Sequence, residues 1–225
     1  PYFPHERPPE RFVHALPPVD EAALKTDYVL FTHDHRDHTC VETVGRIAAA
    51  WPAARFCGPV ESIEHIVASG VARERTEVIA AGESRALGDL RVWAVYAKPP
   101  EGDPAAGIKA PDVTHLGYVI DAGGVRLYFT GDPINTFAEH DALLDPVKAL
   151  APQIGFLTCH PSEGEFPFFD GCVKMARRIG LKAAVPAHYA CFVKRNYDPR
   201  EWAAHFGPGD PEPIIIPYND SIVYP

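Results

Sequence analysis

The segment Thr32-His33-Asp34-His35-Arg36-Asp37-His38 constrains this chain more than any other, because it sets four ligand-type side chains, His33, His35, Asp37 and His38, within six residues. It follows directly on Tyr28-Val29-Leu30-Phe31. A short apolar run bounded by polar residues is the signature of a strand buried on both faces. Open α/β sheets place their binding crevices at the ends of such strands. In extended backbone the side chains at 33, 35 and 37 point the same way, and a turn into the next helix adds His38. A solvated, histidine-rich turn is the alternative, and this order of three histidines and an aspartate argues against it.

Two later runs end in the same manner. Leu127-Tyr128-Phe129 leads into Thr130-Gly131-Asp132, where Gly131 permits a sharp turn that would expose the Asp132 carboxylate. Ala183-Ala184-Val185-Pro186-Ala187 leads into His188. Taken alone, Asp132 reads equally as a turn cap and His188 as a satisfied core histidine. Beside the first cluster they complete a dinuclear set, with a carboxylate able to bridge two divalent ions.

The rest of the chain frames these sites within one α/β domain spanning 1–225. A proline-rich stretch over 1–26 reads as an extended surface arm, with a short helix over 19–24. Helices are predicted over 41–51, 60–68, 137–149, 171–179 and 199–206. Strands are predicted over 28–31, 55–57, 90–96, 117–121, 125–129, 153–159, 182–186 and 214–216, and 99–111 reads as a loop near the site or a lid. The β-α-β-α rhythm of the first third argues for a parallel or mixed sheet with helices outside. A formal net charge of −9 opposes a large phosphate-tracking surface, so nucleic acid is not an expected partner and a small molecule is. No apolar run reaches bilayer length, and five widely spaced cysteines read as buried reduced thiols, so we expect no membrane insertion and a cytoplasmic location. Self-association into a homo-oligomer stays open.

The ordered series HxHxDH, Thr-Gly-Asp and a late histidine after an apolar strand resembles the metallo-β-lactamase superfamily. Within it, "TDYVLFTHDHRDH", "LYFTGD" and "AAVPAHY" resemble the L-ascorbate-6-phosphate lactonase branch, from about Asp27 to the end of the chain. The resemblance implies an αββα sandwich, two mixed sheets packed face to face with helices outside and metals at one edge. Position by position, it implies that His33 and His35 bind a first metal, that Asp37, His38 and His188 bind a second, and that Asp132 bridges them. His115 falls where many members place a third histidine for the first metal, with a surface-loop histidine as the alternative. The family opens with a β-hairpin layer before HxHxDH, whereas only the proline-rich stretch precedes His33 here, which suggests an incomplete first layer. Tyr189 stands where the lactonases carry a further histidine.

These readings converge on a hydrolase that uses a metal-bound hydroxide, acting on a lactone or ester of a small anionic, sugar-phosphate-like molecule. The donor set suits two divalent ions, zinc or manganese, with iron also accommodated. Asp37 is the catalytic candidate for handling the water proton, with His160 or Tyr189 donating to the leaving group. Ser162, Glu163 and Glu165 could orient the substrate, and Asp34 could support an imidazole; Lys194 and Arg195 read first as a solvated basic turn and second as a grip on the anionic group. The alternatives are a phosphodiesterase or nuclease of the tRNase Z type, a di-iron redox protein and a non-catalytic metal binder. His5, His14, His65, His140 and His205 read as ordinary.

Overall fold

The computed structural model describes residues 9–14, 20–217 and 220–224. Two β-sheets form its centre. The smaller holds β1 (Tyr28–Leu30), β2 (Arg55–Gly58) and β3 (Thr76–Val78), all parallel and in that order. Parallel neighbours need crossovers, and α1 (Val41–Ala50) and α2 (Val60–Ala68) supply them. Val44 and Ile47 of α1 and Ile63 and Ile66 of α2 fall at helical spacing, and they bury one face against Phe31 and Phe56. Complete burial of Phe56 alone contributes roughly 1.5–3 kcal/mol.

The larger sheet has the order β10-β9-β8-β7-β6-β5-β4. Its strands are β4 (Ser84–Leu87), β5 (Leu90–Tyr96), β6 (Leu116–Ala122), β7 (Val125–Phe129), β8 (Ile154–Thr158), β9 (Ala183–Ala187) and β10 (Glu212–Pro213). Pairing is antiparallel from β4 to β7 and parallel from β7 to β10. Between the sheets, Cys57 with Tyr28 and Leu30 meets Val92, Ala94, Leu116 and Tyr118. On the outer face, Val119, Tyr128, Leu157 and Ala184 meet α3 (Asp141–Ala149), α4 (Phe169–Ile179) and α5 (Pro199–Ala203) through Leu144, Val147, Met175, Ala176 and Trp202. Helices therefore cover both sheets from outside, the αββα layering expected.

Several local expectations change. Residues 9–14 do not run freely over the surface: Phe12 is 5% exposed, bridges to Phe192 in backbone pairing and packs on Phe192 and Cys40. His5, residues 15–19 and the rest of the arm's first eight positions lie outside the described residues. Residues 20–24 form turns rather than a helix, because the Asp20 carboxylate accepts from the Ala22 N–H and closes a turn of its own. The predicted helix over 137–149 breaks at His140, whose extended backbone separates a 3₁₀ turn from α3. The last strand is Glu212–Pro213, two residues earlier than predicted, and only the Ile214 N–H continues its pairing, to Ala184 O.

Topology gathers the ligand-bearing loops at one edge. Strands β7, β8 and β9 are parallel and end there, while β6 runs against them and begins there, pairing Tyr118 with Phe129. The Leu116 N–H donates to Thr32 O, which fastens the start of β6 to the loop that follows β1.

Candidate metal centre

His33, three residues past the end of β1, is fully buried, with its carbonyl accepting from the Thr39 hydroxyl. A turn then closes as the His38 and Thr39 N–H groups both donate to His35 O. This turn corrects the expectation that 33, 35 and 37 share one direction: His33 and His35 fall in one group, while Asp37 is carried round to His38 in another. The result is three overlapping groups, His33 with His35 and His115, His33 with His38 and Asp132, and Asp37 with His38 and His188. Within each group the ligand atoms lie within 4.8 Å of one another. Donors bound tetrahedrally at about 2.1 Å stand roughly 3.4 Å apart, so small side-chain adjustments suffice to close each group on one ion.

Asp132 sits between the groups. Its Oδ2 lies 3.4 Å from His38 Nε2 and 3.7 Å from His33 Nε2, and its Oδ1 lies 4.0 Å from His188 Nε2. Gly131 makes this placement available, since its φ is +60° and a Cβ there would come within 2.4 Å of Leu116 O. His188 is itself held at φ 68°, an uncommon conformation for a residue with a side chain, and Ala190 follows at φ 56°. His115 arrives from the start of β6, where the preceding Thr114 donates through both N–H and hydroxyl to Glu61 of α2.

The fit to a divalent cation rests on buried, unpartnered donor atoms. Among the described residues, His33 Nε2, both nitrogens of His115, Asp132 Oδ1 and His188 Nδ1 are buried with no hydrogen-bond partner. Such atoms are expensive in an apolar interior unless something else satisfies them. Burial keeps the His33 and His115 rings neutral, with His115 lowered to about 3, aided there by the nearby Lys98 charge. Burial alone would raise Asp132, yet His38, His188 and His33 hold it well below the usual carboxylate range. His38 goes the other way: burial alone would lower it, and the Asp132 carboxylate beside it raises it, so a cation entering here would displace a proton from that pair, while His33 and His115 are already in the neutral form that binds metal.

Supporting contacts orient the rings. The Thr32 hydroxyl lies 3.0 Å from His33 Nδ1 and 3.4 Å from His38 Nδ1, which leaves both Nε2 atoms facing Asp132. His35 Nε2 lies 3.1 Å from Asp112 Oδ1, leaving Nδ1 for a ligand. Sequence reading singled out neither Thr32 nor Asp112 for this; a hydroxyl directly before an HxH motif was the available signal for the first, and nothing local marked the second. Asp34 supports His65 Nδ1 at 2.9 Å, not a ring of the cluster. His140 is bound to Asp103 and Thr136, and His205 to Asp170.

The remaining candidates sort differently. His160 belongs to none of the three groups. The Ser162 and Glu163 N–H groups donate to its Nδ1, so the proton resides on Nε2, which is buried and without a partner among the described residues. It can donate a hydrogen bond, and it cannot accept a proton at Nδ1 without losing both backbone bonds. Arg195 does not reach outward for an anion: it pairs with Glu163 and Glu165 and lies over the Phe166 ring. Lys194 is exposed, and Tyr189 packs on Tyr197. Instead, an open cavity of about 120 Å³ adjoins His35 and His115, and the cations on its wall are Lys98 and Lys109.

Comparison with known proteins agrees with this architecture. Residues 7–189 match the model of the beta-lactamase superfamily domain. A probable L-ascorbate-6-phosphate lactonase, UlaG, of Salmonella choleraesuis is 27% identical over 199 residues, which are 80% of this chain and 53% of that protein. The chain thus spans about half the length of the curated relatives it matches. Among solved structures, the isothiocyanate hydrolase from Delia radicum gut bacteria superposes with a TM-score of 0.67 at 15% identity, covering 92% of this chain and 80% of that one. Igni18, a metallo hydrolase from Ignicoccus hospitalis, gives 0.65 at 18% identity, covering 89% and 80%. With the αββα layers, the HxHxDH turn, the Thr-Gly-Asp turn and the family match in agreement, the chain belongs to the metallo-β-lactamase superfamily.

Proposed function

We propose that this protein is a metal-dependent hydrolase that opens a lactone, or a related ester, of a small anionic molecule. The observation that carries the reading is the set of three ligand groups sharing His33 and His38, with Asp132 between them. His33, His35 and His115 would hold one divalent ion, and Asp37, His38 and His188 a second, with Asp132 touching both. Bound there, the ions would supply an acidified water and an electrophile for the substrate carbonyl. Asp37, half-buried in the group with His38 and His188, would accept and hold the proton that the nucleophile gives up. His160, fixed as a neutral Nε2 donor, would hydrogen-bond an oxygen that gains charge during the reaction. The likeness to a probable lactonase supports the substrate class, and an acidic chain of net charge −9 supports a small substrate over a polymer.

The test combines metal analysis with a panel of lactones, simple esters and an RNA phosphodiester. We expect up to two divalent ions per chain, turnover abolished by chelation, and a loss of about 10²–10⁴-fold in kcat for Asp37→Asn. Affinity should fall only shallowly with salt, because one anionic group releases few counterions. RNA cleavage with a steep salt slope would select phosphodiester chemistry instead. Metal-loaded protein that hydrolyses nothing across the panel would select a binding role.

A further inference from the structure

The cavity beside His35 and His115 is bounded by residues that the reading of the metal groups leaves unused. Its wall includes Lys98, Ile108, Lys109, Ile134 and Glu165. At about 120 Å³ it is smaller than the roughly 300–1,000 Å³ of a site that encloses a whole drug-sized ligand, and it has room for a single small anionic group. The wall is built rather than loose. Gly102 is buried at φ +73°, where a Cβ would come within 2.4 Å of the Lys109 carbonyl carbon, so the 99–111 loop closes tightly on itself. Asp103 then pins that loop, accepting from the Ala106 N–H and the Thr136 hydroxyl and pairing with His140.

Lys98 is the unusual member. Its side chain is only 12% exposed, yet the contact it makes is to Glu165 Oε1 at 3.4 Å. A well-formed ammonium–carboxylate bond is about 2.7–2.9 Å. Glu165 is 40% exposed and shared with Arg195, again at 3.4 Å, so it is a weak and displaceable partner. A largely desolvated ammonium with one long contact is costly unless a further anion completes it. It shares the cavity wall with His35 and His115, which places its charge beside the first group of ligands.

We propose that Lys98 is the specificity-determining residue of this site: it receives the phosphate or carboxylate of the substrate, displacing Glu165, while the reacting carbonyl lies toward His35 and His115. This rests on the hydrolase reading above for its substrate class. Lys109, exposed on the loop, adds a second cation at the cavity mouth. The anion-gripping role left open to Lys194 and Arg195 thereby passes to a residue of the β5–β6 loop.

The experiment compares glucono-lactone with its 6-phosphate, an identical ring with and without the anionic group, on metal-loaded wild type, Lys98→Gln, Lys98→Arg and Lys148→Gln. Metal content and Tm are measured in parallel. A second arm titrates gluconate and 6-phosphogluconate calorimetrically, so that it does not depend on turnover. We expect wild type to prefer the phosphorylated compound in both arms. Lys98→Gln should lower that preference by about 10–100-fold, the usual effect of one charge-assisted contact, mainly through KM. Lys98→Arg should retain most of it, and Lys148→Gln, an exposed helix position, all of it. If wild type turns over neither lactone, the hydrolytic reading fails while the binding arm still decides the role of Lys98. Absence of any wild-type preference for the phosphorylated compound, or a preference unchanged in Lys98→Gln at equal metal content, overturns the proposal.

Discussion

Replacing Gly131 by alanine tests whether the Thr-Gly-Asp turn is what delivers the carboxylate. At φ +60° an alanine costs about 1–2 kcal/mol relative to glycine. Its Cβ would also lie 2.4 Å from Leu116 O and 3.0 Å from Thr32 Cβ, one a backbone atom at the start of β6 and the other a side chain of the HxHxDH loop. Neither can swing away as a flexible side chain would, so forcing them apart adds roughly 1–3 kcal/mol. The sum, about 3 kcal/mol, corresponds to a fall in Tm of about 6–12 °C for a chain of this size. The same displacement moves Asp132 and the neighbour of His115 together, so metal affinity should fall along with stability. Thermal melts with chelator and with added zinc, alongside calorimetric metal titration, separate the two effects. A Tm shift below about 2 °C with unchanged metal affinity would refute the claim that this contact sets the geometry.

Thr32→Val keeps the shape but removes the hydroxyl that lies between His33 Nδ1 and His38 Nδ1, so metal Kd should rise by about 10–100-fold; an unchanged Kd would show that the rings orient themselves. The metal-free protein should lose stability as pH falls below about 6.5. There the unfolded His115 binds a proton that the buried ring, lowered to about 3, refuses, and the loss approaches about 1.4 kcal/mol per pH unit. Urea unfolding in chelator between pH 7.5 and 5.5 should therefore give a shallower pH slope for His115→Gln than for wild type, and parallel slopes would contradict the buried neutral ring.

The sequence alone determined the elements whose information is local. The apolar run at 28–31 marked a strand, realised over Tyr28–Leu30 with each residue half-buried rather than buried, and the HxHxDH segment, Asp132 and His188 each followed a strand end, because side-chain alternation and turn chemistry act over a few residues. Most helix bounds were legible for the same reason, whereas the αββα order was implied by the family resemblance alone. Only the tertiary structure decided which strand ends become neighbours. His115 lay open between ligand and loop residue until β6, running antiparallel to β7, brought its start to the edge where β7 ends. Arg195 ends a 3₁₀ turn and Lys98 lies in a loop; a salt bridge to Glu163 occupies the one, and among the described residues a long contact to Glu165 leaves the other facing the cavity, a difference set by residues apart from both in sequence. Phe12 read as part of a surface arm because its partner Phe192 is 180 positions later, and burial between such distant residues leaves no periodic trace around either one.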